Sequence, residues 1–171
     1  NSVGYSPQTN SLYTPTNNTC MNFALRPVEP TVGLHHASAR SSAEIGPEDT
    51  GQVGQFTSID GATGETRWTY RQRAGIGGSV LTTGGGLVFV SDDARRFRAF
   101  DADSGDILWE QILNSAAGGF PVRYSVDGVQ YIALAAGEGV NDRKHTPEIR
   151  RRSCGYTFDV VRLPQEEGTS K

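Results

Sequence analysis

Few residues in this chain are of types that do chemistry by themselves. In NNTCM, residues 17–21, the amides of Asn17 and Asn18 can serve a carbonyl or carboxylate oxygen, although two adjacent asparagines equally make a turn. In GLHHAS, His35 and His36 could ligate a metal or move a proton, but neighbouring loop histidines are more often solvated. Cys20 and Cys154 are too few for a zinc site, and no C-x-x-C-H haem attachment occurs. They are two thiols, a disulfide if an oxidising compartment and close approach allow it, or partners of another segment. The acidic residues, including Asp92, Asp93, Asp142 and Glu148, show neither ligand-like clustering nor EF-hand spacing.

The elements that must hold these residues are short and β-rich. At 171 residues the chain has the length of about one domain and could bury a sizeable core. Its 16 basic and 19 acidic residues are interspersed, and a net charge of −3 offers no footprint for nucleic acid or an anionic membrane. The one basic cluster, Arg143, Lys144, Arg150, Arg151 and Arg152, reads as a solvated loop. No apolar run reaches about 18 residues, so no membrane span is expected; no charged-then-apolar leader is visible, which is uninformative if a start has been removed. With 21 Gly, 8 Pro and many Thr, Ser, Asp and Asn, tight turns must be frequent, and long amphipathic helical stretches are hard to find. The expected class is all-β.

A repeat sharpens this. FDADSGDILWEQ at 100–111 has a looser copy, IDGATGETRWTY, at 59–70; Asp60 aligns with Asp101, Gly64 with Gly105 and Trp68 with Trp109, each pair 41 residues apart. Around the second copy, SVLTT, LVFVS, RFRAF and ILWEQI read as four antiparallel strands in about 40 residues, the content of one propeller blade. VGYS, LYTPT, GQFTSID and TRWTY give a blade over 1–72, interrupted by an irregular stretch at 20–53 whose pieces look like surface loop. The second blade spans 73–114. FPVRYSVDGVQYIALAAG is a hairpin turning at Asp127 and Gly128, and GYTFDVVRLP is one more strand, making a partial blade over 115–165 with a tail at 166–171. In each repeated turn the Asp and the Ser or Thr can bond backbone N–H groups, and the following tryptophan can stack on a neighbouring blade while its N–H finds a carbonyl. The expected fold is a partial β-propeller of about two and three-quarter blades. Because blades bury their faces on one another, it is expected to be the C-terminal part of a larger ring, completed by a further polypeptide or portion that supplies the last strand.

AFDADSGDILW, and SIDGATGETRW with Ser58 for the alanine, resemble the tryptophan docking motif of quinoprotein dehydrogenases, eight-bladed propellers that use pyrroloquinoline quinone (PQQ). YTPTNNTCMNF, AGIGGSVLTTGGGLVFVSDDARRFRAF, GFPVRYSVDGVQYIALAAGEG and CGYTFDVVRLP follow in the family's order, with the weakest likeness over 26–53 and 140–153. The resemblance implies a soluble, periplasmic enzyme that oxidises an alcohol or sugar hydroxyl, or an aldehyde. A carboxylate base takes the hydroxyl proton, the quinone takes a hydride, and a Ca²⁺ or lanthanide ion polarises the quinone carbonyl. It implies a complementary N-terminal polypeptide of the same propeller, and an electron acceptor such as a cytochrome c or quinone.

Carried over residue by residue, Asn17 matches an asparagine that hydrogen-bonds the quinone. Gly77 and Gly78 match a segment that lets backbone approach the cofactor. Ile76 stands where alcohol-oxidising relatives often have a tryptophan under the ring, and GEGVN at 137–141 lacks the tryptophan of a GGW-like end. Both departures imply a roomier substrate entrance, suited to a sugar or bulky alcohol rather than methanol. The catalytic aspartate, metal ligands, vicinal cysteines and quinone-stacking tryptophan of the family fall in earlier blades. A non-catalytic propeller scaffold of envelope protein assembly needs only the docking motif, so NNTCM and AGIGG favour the enzyme. A stand-alone β domain is disfavoured by the three-strand ending.

Overall fold

A computed structural model describes residues 2–25, 27, 29, 32–33, 39–45, 51–137 and 156–162. His35, His36, Asp142, Glu148, Cys154, the basic cluster, 138–141 and the tail lie outside the described residues. All regular elements among the described residues are strands.

The first blade is the antiparallel sheet β1 (Gly4–Ser6), β2 (Ser11–Asn17), β5 (Gly54–Asp60) and β6 (Thr66–Gln72), in that order. Pro15 is tolerated in β2 because β1 pairs only as far as Tyr13, so the missing N–H interrupts no ladder on that side. The second blade is β7 (Leu81–Thr82), β8 (Leu87–Ser91), β9 (Arg96–Asp101) and β10 (Ile107–Ile112). The third sheet has β11 (Val122–Val126), β12 (Val129–Ala136) and β13 (Thr157–Arg162), with Asp127 and Gly128 both at positive φ in the hairpin turn. The pattern of four, four and three strands follows the alternation in the sequence. The stretch read as surface loop does not: β3 (Thr19–Leu25) and β4 (Ala39–Ile45) pair antiparallel as a separate ribbon, with every β3 side chain exposed. Polar ARSSAEI has no hydrophobic alternation, so its strand state comes from the partner rather than from its own pattern.

Two apolar clusters glue the sheets together. Tyr13 and Phe56 of the first blade meet Ile76, Val88, Val90, Phe100 and Ala102 of the second. Phe89, Phe97 and Ala99, on the other face of the second blade, meet Ile132, Leu134, Ala136 and Val161 of the third sheet. Alternation along β8 and β9 sends successive side chains to opposite neighbours, which is why both strands are buried on both faces.

The repeated phrase builds the same turn twice. Asp60 Oδ1 accepts from the N–H groups of Ala62 (2.8 Å) and Thr63 (3.0 Å), and Asp101 Oδ1 from those of Asp103 (2.9 Å) and Ser104 (2.8 Å). The hydrogen bond from Arg67, then those from Thr63 and Ala62, hold the Asp60 carboxyl well below the usual range; the Ser104 N–H, then Asp103, lower Asp101. In both copies the register shifts just before the tryptophan, at Arg67 and at Leu108, and this bulge re-aims the indole. Trp68 donates from Nε1 to Ala102 O of the next blade (3.1 Å) and lies on Gly105. A Cβ at Gly105 would stand 2.6 Å from Trp68 Cδ2, and its φ of +78° is open to glycine.

A buried ion network backs this joint. Arg98 Nη1 donates to Asp92 Oδ2 (2.8 Å) and to Gln72 Oε1 on the first blade (2.7 Å), its Nε donates to Glu110 (2.6 Å), and its guanidinium lies 5.6 Å from the Tyr70 ring centroid. Burial works against the Arg98 charge, but the Asp92 charge, then Tyr70 and the bonds to Glu110 and Asp92, outweigh it and raise its pKa further.

Candidate functional site

Antiparallel strands put the repeated turns at one end of each blade and the remaining loops at the other. β5 runs from Gly54, beside Asn17, to Asp60 at a repeated turn; β9 runs from the 92–95 turn to Asp101 at the second. The end opposite the tryptophan turns therefore gathers Asn17, the 74–78 loop that leads into the second blade, the 92–95 turn and the 113–119 loop.

Hydrogen bonds join these loops into one belt. Ile76 N–H donates to Asn17 Oδ1 (2.7 Å), Asp93 N–H to Gly75 O (2.9 Å), and Gly78 N–H to Ser91 O (3.2 Å). Ser91 Oγ, buried, donates to Ala117 O (2.5 Å), and Gly137 N–H donates to Ala116 O (2.9 Å). Gln72 Nε2 bridges Ala74 O and Asp92 Oδ2, each at 3.0 Å, tying the belt to the Arg98 network.

Asn17 is brought against the 74–78 loop, as a shared site requires. Its amide oxygen is committed to Ile76 N–H, so Nδ2 is the end that can donate to a ligand oxygen. Ile76 does something else than expected. Its side chain is 1% exposed and packs with Tyr13, Phe56, Val88 and Phe100 between the blades, so it cannot lie under a bound ring or widen an entrance. The glycines also have a local reason. A Cβ at Gly77 would stand 2.6 Å from Asp93 Oδ1, and one at Gly78 would overlap Ser91 Oγ. The chain's own side chains occupy the space that both glycines leave open. In the sequence Asp93 stands out only as one of several acidic residues without ligand-like clustering, and Ser91 not at all; extending the 41-residue period past the tryptophans aligns AGIGG (74–78) with SAAGG (115–119) and marks the two loops as equivalent positions, but not the residues that meet them.

Cys20 is exposed on β3. Among the described residues no group of three His, Cys, Asp or Glu side chains could hold a metal ion, and no helix is long and apolar enough to cross a membrane. Asn17 Nδ2, at the end of β2, is a donor of the kind that a quinone with carboxylate groups needs along its edge.

Blades docked face to face through aromatic joints define a segment of a β-propeller. Residues 71–132 match the PQQ family described as glucose/ethanol/alcohol dehydrogenase, beta-propeller domain. Methanol dehydrogenase [cytochrome c] subunit 1 of Paracoccus denitrificans is 30% identical over 138 residues, 79% of this chain and 22% of that protein. The lanthanide-dependent methanol dehydrogenase of Methylacidiphilum fumariolicum is 32% identical over 139 residues, 80% of this chain and 23% of that protein. The solved europium-containing methanol dehydrogenase superposes with a TM-score of 0.72 at 32% identity over 80% of this chain and 24% of that one. The chain is a segment of a PQQ-type quinoprotein dehydrogenase propeller, and it spans under a quarter of the length of these relatives.

Proposed function

We propose that this chain is the C-terminal part of a periplasmic PQQ-dependent dehydrogenase that oxidises an alcohol hydroxyl and passes electrons to a cytochrome c or quinone acceptor. The carrying observation is the likeness, in backbone and in sequence together, to a methanol dehydrogenase over four-fifths of the chain. Bound PQQ supplies a quinone carbonyl that accepts hydride, and a Ca²⁺ or lanthanide ion beside it supplies Lewis-acid polarisation. This chain's contribution is positional: Asn17, its oxygen held by Ile76 N–H, offers Nδ2 to a carbonyl or carboxylate oxygen of the cofactor. The base, the metal ligands and the substrate wall are assigned to the remainder of the ring, a complementary N-terminal polypeptide. With Ile76 turned into the core, the argument for a sugar or bulky alcohol over methanol rests only on 137–141, nearly all outside the described residues. The substrate class is therefore an alcohol, with no size preference assigned.

The test is reconstitution of the complete protein with PQQ and either Ca²⁺ or a lanthanide, followed by reduction of an artificial dye. Turnover with methanol or ethanol, dependent on PQQ, is expected. Turnover of glucose alone would move the substrate class to sugars, and none with any alcohol or sugar would sink the enzyme reading in favour of a scaffold.

A further inference from the structure

Asn17 and Asp93 occupy the same position in successive blades. Tyr13 faces Ser58 across the β2–β5 pair, and Phe89 faces Ala99 across the β8–β9 pair. Ser58 and Ala99 are one 41-residue period apart, and Asn17 and Asp93 each lie four residues beyond the aromatic. Both bear on one loop from different blades. Asn17 Oδ1 receives Ile76 N–H, while Asp93 pins Gly75 O through its own N–H and lays its carboxylate along the loop. A Cβ at Gly75 would stand 2.6 Å from Asp93 Oδ2 and 3.3 Å from Asn17 Oδ1; one at Gly77 would stand 2.6 Å from Asp93 Oδ1. The peptide that orients the Asn17 amide is thus bracketed by two glycines seated on one carboxylate.

We propose that Asp93 is a positioning residue for the Asn17 site: its carboxylate sets the 74–78 loop whose Ile76 N–H holds the Asn17 amide, and Asp93 rather than the cofactor demands glycine at 75 and 77. The amide has one anchored end. A loop displaced from Asp93 carries Ile76 N–H away from Oδ1, and the amide loses the constraint that presents Nδ2 as donor. The cofactor half of this inference rests on the reading under Proposed function; the loop half does not.

The test is a double-mutant cycle in the complete protein that carries this chain, with two readouts. One is PQQ affinity, from quenching of the intrinsic fluorescence of the cofactor-free protein. The other is amide exchange at 75–78 in that same cofactor-free protein. Gly77→Ala is expected to weaken PQQ binding about tenfold or more, the scale on which a displaced supporting contact acts, and to speed exchange of the Ile76 amide. Asp93→Ala gives the same pair of changes, while Asp93→Asn, which keeps the shape, stays close to wild type. The Gly77→Ala/Asp93→Gly double variant binds PQQ no more weakly than Asp93→Gly alone, because the clash is gone. Additive losses would overturn the proposal and return the glycine to the cofactor; so would an Asp93→Ala protein with unchanged PQQ affinity and unchanged exchange. If the wild-type protein takes up no PQQ, the dehydrogenase reading fails by itself, and exchange across the same cycle still decides whether Asp93 sets the loop.

Discussion

Trp68 and Trp109 come from the same repeated phrase, yet they sit in different joints. Trp68 stacks on Phe100 (centroids 6.2 Å, planes 13° apart), meets Phe56 edge-on and Tyr13 at 5.8 Å, and bonds Ala102 O, a carbonyl that also receives the Tyr13 hydroxyl at 3.0 Å. Trp109 meets one ring, Phe97, edge-on at 6.1 Å, and otherwise packs on the aliphatic cluster of the third sheet. The reason lies in the receiving blade. Phe100 of the first joint is matched by Val161 in the second, since each pairs with its buried neighbour Val88 or Ile132, and the counterpart of Ala102 is Leu163, outside the described residues. A repeated phrase thus fixes what the donor blade offers, and the next blade decides what the offer is worth.

Truncating the two tryptophans in the complete protein separates these joints most widely. Trp68→Ala is expected to cost about 3–5 kcal/mol, the range for truncating a large aromatic, because the half-buried indole loses three ring contacts and its hydrogen bond. Trp109→Ala is expected to cost less, about 2–3 kcal/mol, because one aromatic partner and an aliphatic bed leave less to lose. Denaturant unfolding of both variants measures this, and equal losses would break the contrast.

The polar halves of the joints differ in the same direction. Arg98→Met strands Asp92, whose carboxylate is buried and keeps only Gln72 Nε2 and Arg96 N–H, and about 3 kcal/mol of stability should go with it. The counterpart of Arg98 in the third sheet is Asp159, which takes a long, exposed bond of 3.4 Å from Asn114 Nδ2. Asp159→Ala should change the unfolding midpoint little, within about 0.5 kcal/mol as for ordinary surface substitutions. A large loss there, or none at Arg98, would show that the second joint is the polar one.

The strands and the two tryptophan turns were legible because period-2 alternation and Asp, Gly and Ser in turns act locally. LVFVS, ILWEQI and GQFTSID have the bounds that the residues suggest. SVLTT shrinks to Leu81–Thr82, since Val80 leaves the sheet to pack on the first cluster and crowd Gly4. The belt of loops was not legible. Asp93 reaches Gly75 and Gly77 only after β7 and β8 have turned back, and no spacing between 75 and 93 announces a contact made by the fold. Ile76 misled for a related reason: likeness to a family assigns a residue to a position, but the packing of the 74–78 loop between the blades decides which way its side chain points.

The smallest effect is the most direct reading of the two copies against each other. Where the second phrase has Ala99, the first has Ser58, fully buried on the face that Trp68 covers, and its hydroxyl finds no partner among the described residues. An unsatisfied buried hydroxyl costs about 1 kcal/mol or more, and the alanine of the second blade shows that the site holds a methyl without strain. Ser58→Ala should therefore raise stability by about 1 kcal/mol, an uncommon sign for a core substitution. The reciprocal Ala99→Ser, which puts the same hydroxyl beside Phe89 and Trp109, should lower it by a similar amount. If Ser58→Ala destabilises instead, the hydroxyl has a partner in the complete ring, and the first blade's departure from the repeat is a contact rather than a cost.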